Sequence, residues 1–266
     1  MVTEQEVDAI GQTLVDPKQP LQARFRALFT LRGLGGPGAI AWISQAFGDD
    51  SALLKHELAY CLGQMQDARA IPVLVDVLQD TRQEPMVRHE AGEALGAIGD
   101  PEVLELLKQY SSDPVIEVTG PPLVSLPVLG PWEALPTLPA PIAAVNRALQ
   151  VGHGMPLSPA GLHCGSALFR HEVGYVLGQL QHEAAVPQLA AALARCAENP
   201  MVRHECAEAL GAIARPACLA ALQAHADDPE RVVRESCEVA LDMYEHETGR
   251  AFQYADGLEQ LHGATS

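Results

Sequence analysis

The strongest constraint on the fold is an internal repeat that occurs at two scales. Residues 51–66 (SALLKHELAYCLGQMQ) and residues 166–181 (SALFRHEVGYVLGQLQ) are identical at ten of sixteen positions. Residues 84–98 (EPMVRHEAGEALGAI) and residues 199–213 (NPMVRHECAEALGAI) are identical at twelve of fifteen. In each pair the second segment begins 115 residues after the first. The chain therefore contains two related halves.

A shorter period divides each half into helical hairpins. His56 and His89 are 33 residues apart, and so are His171 and His204. Each period holds two stretches in which apolar residues recur at helical spacing, separated by capping residues and glycines. A hairpin of about 30 residues cannot bury both faces alone, so it must stack on its neighbours. We therefore predict an all-α fold, an α-solenoid of HEAT-type helical hairpins in two related halves.

The repeat pattern also predicts the domain organisation. We expect an N-terminal half over 1–118, an atypical segment over 119–160, a C-terminal half over 161–248 and a tail over 249–266. The atypical segment contains nine of the twenty prolines and two charged residues. Proline at this density excludes a continuous helix and argues against a membrane span. The segment replaces the end of one repeat and the start of another.

Charge and cysteine content exclude several classes of function. The formal net charge is −17, whereas phosphate contacts to nucleic acid need clustered lysine and arginine. An acidic surface suits a basic partner, although it also simply keeps a protein in solution. The six cysteines form no C-x-x-C pair, and the N-terminus lacks the pattern of a signal peptide. We therefore expect a cytoplasmic protein without a nucleic-acid or membrane partner.

Histidine followed by glutamate is the chemical signature of the chain. Six of the ten histidines precede a glutamate, far more than the glutamate content predicts. Four of these pairs occupy one helix position in equivalent repeats: His56-Glu57, His89-Glu90, His171-Glu172 and His204-Glu205. The other two, His182-Glu183 and His246-Glu247, fall elsewhere in the pattern, and we interpret them as surface residues.

The flanking repeats show that the fold does not require these pairs. The aligned positions hold Phe25-Arg26 in the first repeat and Glu235-Ser236 in the last. Adjacent residues on a helix point about 100° apart, so ligands must converge from several helices. Four imidazoles and four carboxylates are too many for one zinc ion but suit two divalent metals. Mixed ligation of this kind favours non-haem iron, with zinc and manganese left open.

The four His-Glu segments resemble those of the deoxyhypusine hydroxylases, and the match covers residues 1–118 and 161–266. The resemblance implies a di-iron monooxygenase of hypusine biosynthesis with two Fe(2+) ions per chain. Its substrate would be the deoxyhypusine form of eukaryotic translation initiation factor 5A, with dioxygen and a reductant as co-substrates.

The resemblance also implies a role for each of the eight residues. One iron would take His56, His89 and Glu172, and the other His171, His204 and Glu57. Glu90 and Glu205 would lie beside the metals and receive the cationic side chain of the substrate. Because the set is shared between the halves, the altered join at 119–160 puts the activity of this chain in question.

Two other functions fit the repeat type. A non-enzymatic HEAT-repeat scaffold would bind a protein partner along its concave face and hold no metal. A HEAT-like lyase would attach bilin pigments to proteins. Neither accounts for four His-Glu pairs in register, and a metal assay on the reduced chain distinguishes both from the di-iron enzyme.

Overall fold

A computed structural model describes residues 2–110, 113, 115, 159–181, 183–249, 254–255 and 257–258. The chain divides into two compact units, residues 1–134 with 253–266 and residues 135–252. The helices of the first unit are α1 Glu4–Val15, α2 Leu21–Leu34, α3 Gly36–Gln45, α4 Ala52–Met65, α5 Ile71–Gln79, α6 Pro85–Ile98 and α7 Leu104–Tyr110. Those of the second are α8 Ala167–Gln179, α9 Val186–Leu193, α10 Pro200–Ile213, α11 Pro216–Gln223 and α12 Arg231–Thr248.

The all-helical repeat prediction is confirmed. The described ranges contain α-helices and short 3₁₀ helices and no strand. No helix among them is both long and apolar enough to cross a bilayer. Most of the predicted segment 119–160 and of the tail lies outside the described residues, so those boundaries stay predictions.

Local sequence signals set the ends of the helices that carry the His-Glu pairs. The Ser51 hydroxyl accepts a hydrogen bond of 3.1 Å from the backbone N–H of Leu54 and so caps α4. Pro85 opens α6, where its missing N–H costs nothing. Gly99 ends that helix with φ at 72°, a backbone conformation that glycine adopts without strain.

Small residues let the repeats stack closely. A Cβ built on Gly63 of α4 would lie 2.8 Å from the Cα of Ala94 on α6. In the second unit, a Cβ on Gly178 of α8 would lie 2.9 Å from the Cα of Ala209 on α10. Both separations are too short for a real carbon, so these helices meet at glycine. The first helices of successive hairpins therefore pack closely within each unit.

A buried arginine also links neighbouring elements, and it recurs three times. Arg203 donates from Nε to the carbonyl of Leu193 at 2.8 Å and from Nη2 to the Asp228 carboxylate at 2.5 Å. The same contacts join Arg24 to Leu14 and Asp49, and Arg88 to Leu78 and Asp113. We call these three arrangements the Arg–Asp clamps.

The clamp aspartates also start the next repeat. A carboxylate oxygen of each accepts the backbone N–H two residues further on, as Asp228 does from Glu230 at 3.0 Å. Partial burial alone would raise the pKa of Asp228, but the hydrogen bonds from Arg203 and from Glu230 outweigh it and hold the pKa below its ordinary value. The carboxylate therefore stays charged beside the buried guanidinium.

Residues from the end of the chain complete the first unit. The Tyr254 ring packs edge-on against Phe29 of α2, with centroids 5.9 Å apart, and the Arg26 guanidinium carbon lies 5.6 Å from the Tyr254 ring centroid. The Gly257 N–H donates to the Thr30 hydroxyl at 3.1 Å. This hydrogen bond joins positions 227 residues apart in sequence.

One expectation about surface histidines is wrong. His246 is buried, with 8% of its surface exposed. It lies seven residues after Val239, which in turn lies seven after Val232, and all three share the apolar face of α12. A histidine in the last turn is also favoured by the helix dipole. Glu183 is exposed as expected, and its neighbour His182 lies outside the described residues.

We expect Asp228→Asn to lower the free energy of unfolding by about 3 kcal/mol, because it leaves a buried guanidinium without its counter-charge. Since the folded pKa of Asp228 lies below its unfolded value, the ion pair stabilises the fold above about pH 4 and is lost as the pH falls further. Denaturant unfolding from pH 3 to pH 7 measures both effects. Asp80→Asn is the control, because its partner Arg82 is 90% exposed. Equal stability of the two variants at pH 7 would contradict the clamp.

We expect Gly178→Ala to destabilise the second unit by about 1–3 kcal/mol, because the added methyl pushes α8 away from α10. Gly33→Ala is the matched control: its Cβ would meet nothing within 4 Å, so it should stabilise α2 by about 0.5–1 kcal/mol. Thermal unfolding of both variants measures the difference. Similar shifts in the same direction would show that the close approach does not limit the packing.

Candidate metal centre

All four predicted pairs are buried. The exposed fraction of the eight residues lies between 0% for His204 and 7% for Glu172. Glutamate is almost never buried without a partner, because removing a carboxylate from water is costly. The burial of four glutamates beside four histidines therefore indicates a binding site.

A lysine or arginine side chain held by hydrogen bonds precedes each His-Glu pair and sets its orientation. The residue before each histidine is Lys55, Arg88, Arg170 or Arg203. Lys55 donates to Gln83 and Glu84 at 2.7 and 2.8 Å. Arg170 donates from Nε to Glu198 at 3.0 Å, and the other two cations belong to the Arg–Asp clamps. Each cation fixes the rotation of its helix, so the next two side chains point about 100° and 200° away from it.

In the first unit, two carboxylates enclose the histidine of α4. His56 Nδ1 lies 3.2 Å from Glu57 Oε1, and His56 Nε2 lies 3.2 Å from Glu90 Oε2 on α6. The histidine of α6 has a different partner, since His89 Nε2 lies 3.4 Å from Glu93 Oε1. Two neighbouring helices thus place two imidazoles and three carboxylates together.

The second unit repeats this arrangement. His171 Nδ1 lies 3.0 Å from Glu172 Oε1, and His171 Nε2 lies 3.3 Å from Glu205 Oε2. His204 Nδ1 lies 3.3 Å from Glu208 Oε1, and the rings of His171 and His204 are 5.4 Å apart between centroids. The contacts of His56 are therefore duplicated at His171, whereas the second histidine contacts its glutamate through Nε2 in the first unit and through Nδ1 in the second.

The donor set fits a divalent metal. Ligand atoms of His204, Glu205 and Glu208 lie within 4.8 Å of one another, close enough to share one ion. Burial alone would lower the pKa of His56, but Glu90 and Glu57 outweigh it and raise the pKa well above its ordinary value. So much negative charge in a buried place is offset either by protons on the imidazoles or by a cation that displaces them.

Two residues of the cluster were missed by the sequence reasoning. Glu93 and Glu208 each lie four residues after the histidine of the second helix, in the strings HEAGE and HECAE. This is the spacing at which side chains meet on one helix face. The spacing of four is visible in the sequence, but the prediction considered only adjacent His-Glu pairs.

The buried cysteines near the cluster are not suited to metal binding. Burial and the neighbouring Glu57 raise the pKa of Cys61 well above its ordinary value, and burial and Glu205 do the same for Cys206. Because the thiolate is the form that binds metals and oxidises, a raised pKa makes these thiols poor ligands and slow to oxidise. All six cysteines are free.

Comparison with known proteins agrees with this geometry. A family model described as HEAT repeats matches residues 7–85, 41–119 and 157–242. The deoxyhypusine hydroxylase of Homo sapiens is 76% identical over 302 residues, which cover 100% of both chains. That of Drosophila melanogaster is 47% identical and covers 98% of this chain and 99% of its own. A solved structure of human deoxyhypusine hydroxylase in complex with glycerol superposes with a TM-score of 0.80, at 73% identity, covering 91% of this chain and 97% of that chain.

The chain belongs to the deoxyhypusine hydroxylase family. Membership confirms the resemblance drawn from the His-Glu segments and the prediction that the chain is an enzyme of this family. Together with the His/Glu clusters, it implies metal binding. The alignment with the human relative extends over 302 residues, whereas this chain has 266. The alignment therefore contains gaps opposite this chain.

We expect a thiol reagent at pH 8 to modify two of the six cysteines in the native chain. Cys164 and Cys196 are exposed, whereas Cys61, Cys206, Cys218 and Cys237 are buried. Burial also raises the pKa of Cys237 to about 12. Absorbance of the released chromophore, before and after denaturation, measures the count. The double variant Cys164→Ser/Cys196→Ser should lose the fast reaction, and fast labelling of Cys206 in it would show that the cluster is open to water.

Proposed function

We propose that this chain is a di-iron monooxygenase that hydroxylates the deoxyhypusine residue of eukaryotic translation initiation factor 5A, giving hypusine. The observation that carries the proposal is the duplicated cluster of buried histidines and glutamates in a chain 76% identical to human deoxyhypusine hydroxylase. The non-enzymatic scaffold and the bilin lyase give no reason for this cluster. Dioxygen and a reductant are the proposed co-substrates.

Iron is the proposed metal because of the ligand chemistry. Neutral imidazoles and carboxylates, without thiolates, suit non-haem iron, and the raised pKa values of Cys61 and Cys206 keep sulfur out of the set. Two iron(II) ions would supply the electrons that reduce dioxygen. The protein contributes the buried surroundings and the fixed orientation of each ligand.

We assign the ligands from the repeat pattern. One iron would be held by His56, His89 and Glu172, and the other by the equivalent set His171, His204 and Glu57. Sharing carboxylates between halves places both ions in one site, which a two-electron oxidation of one substrate requires.

Glu90 and Glu205 are the proposed binding groups for the substrate amine. Each already contacts a histidine of the preceding hairpin, Glu90 at His56 and Glu205 at His171, so both carboxylates are held in place before the substrate arrives. A carboxylate accepts a charge-assisted hydrogen bond from an ammonium group. It would thereby fix the position of the carbon that is hydroxylated.

The charge of the chain supports a basic substrate. A formal net charge of −17 attracts a cationic side chain and raises the rate of encounter at low salt. The six free cysteines fit a reducing compartment. We therefore propose that the enzyme acts in the cytoplasm.

We expect the reduced chain to bind two iron ions and to convert deoxyhypusine to hypusine in the isolated factor. Iron analysis and amino-acid analysis of the hydrolysed substrate measure the two properties. His56→Ala should reduce both, while Glu105→Gln, at a side chain that is 78% exposed, should leave both unchanged. A folded chain that binds no metal would overturn the proposal. Metal without hydroxylation would show that the altered join abolishes activity.

Ligand sharing between halves makes a separate prediction. If Glu172 serves the same ion as His56, Glu172→Ala and His56→Ala should weaken the same one of two metal-binding steps. If each half holds its own ion, Glu172→Ala should instead resemble His171→Ala. Calorimetric titration of the three variants with cobalt(II) distinguishes these outcomes.

A further inference from the structure

A second carboxylate contact in each half lies outside the His-Glu pairs. Glu93 contacts His89 and Glu208 contacts His204, with N–O distances of 3.4 and 3.3 Å. Both glutamates lie four residues after their histidine on the same helix. The contact is therefore made within one helix and occurs on the second helix of the cluster in both units.

Comparison along the repeats shows that this glutamate occurs only beside a His-Glu pair and that the fold does not require it. The first histidine of each half, His56 or His171, has a tyrosine at the same spacing, Tyr60 or Tyr175. The flanking helices, which lack a His-Glu pair, hold Phe29 on α2 and Val239 on α12 at the aligned position. Packing thus accepts an aromatic or aliphatic residue here. A carboxylate is present only after His89 and His204.

The two kinds of histidine contact their glutamates in different ways. His56 and His171 each contact a glutamate at both ring nitrogens, one of them from the neighbouring helix. For His89 and His204, the carboxylate four residues on supplies a contact at one ring nitrogen. Both of these histidine side chains are 0% exposed, whereas the side chains of Glu93 and Glu208 are 31% and 22% exposed. The glutamates therefore lie at the edge of the cluster.

A carboxylate beside a metal-binding histidine has a known role. An imidazole that binds a metal through one nitrogen carries a proton on the other, and a carboxylate that accepts this proton fixes the ring and makes it a stronger ligand. Such hydrogen bonds are often long in the metal-free state and shorten when the site is loaded.

We propose that Glu93 and Glu208 are positioning residues: Glu93 accepts the Nε2–H of His89 and Glu208 accepts the Nδ1–H of His204, so that the opposite nitrogen of each ring faces the metal. The inference rests on the proposed function only in requiring that a metal is bound. Glu93 acts on the ion held by His89 and Glu208 on the ion held by His204. Although ligand atoms of Glu208 lie within 4.8 Å of those of His204 and Glu205, each glutamate acts on the ring of its histidine and not directly on the ion or the substrate.

Metal affinity tests the proposal without reference to hydroxylation. Cobalt(II) is titrated into the metal-free full chain, with a chelator as competitor and visible absorption as the readout. We expect Glu93→Ala to weaken one of the two binding steps about 10- to 100-fold, and Glu208→Ala the other. Glu93→Gln and Glu208→Gln should recover part of the loss, because an amide oxygen still accepts the N–H but without a charge. Glu105→Gln should bind as the wild type.

The pattern of losses separates positioning from other roles. A merely structural role would lower the thermal midpoint of the metal-free chain and weaken both steps together, which would overturn the proposal. So would unchanged affinity in both alanine variants. Complete loss of one ion at millimolar cobalt, with no recovery in the glutamine variant, would make the glutamate a ligand and also overturn it. A wild type that binds no cobalt refutes the proposed function itself, whereas tight binding without hydroxylation leaves the positioning test intact.

Discussion

The clusters depend on buried cations that point away from them. Arg88 and Arg203 are anchored at both ends, to a carbonyl ten residues earlier and to an aspartate 25 residues later. Arg24 makes the same contacts before Phe25, where no metal ligand follows. The clamp is thus part of the repeat, and the His-Glu pair uses an orientation that the fold already provides. A guanidinium satisfied in this way is also kept from neutralising the carboxylates that the metal needs.

Negative charge is concentrated around the histidines of each unit. Each unit concentrates carboxylates around two imidazoles, and the raised pKa of His56 records the excess of negative charge. A divalent ion relieves that excess directly. The glutamates then divide by exposure: the buried Glu90 and Glu205 suit contact with a substrate, while the half-buried Glu93 and Glu208 suit contact with water and with a ligand ring.

Repetition made much of this structure predictable from the sequence. Ser51, Pro85 and Gly99 fix helix ends through local signals, and the four pairs in register predicted a buried cluster. The 25-residue spacing of the clamps also explains why the departure from the repeat follows Asp113, the last clamp residue of the first half. Length can change only outside a clamp, because a shift within one would leave a buried guanidinium unpaired. Glu93 and Glu208 were not predicted because each lies four residues after its histidine and not next to it. His246 was expected on the surface because it lies outside the repeated His-Glu position, although it shares the apolar face of α12.

The docking of the last residues on α2 had no signal in the sequence, since no periodicity connects Phe29 with Tyr254. It has a consequence for the order in which the chain can fold during synthesis. Helices α1 to α7 are translated before the second unit, yet Tyr254 and Gly257, which contact Phe29 and Thr30, are translated after it. Stacking of α1 to α7 can proceed early, but this face of α2 is covered only after the whole second unit has been translated.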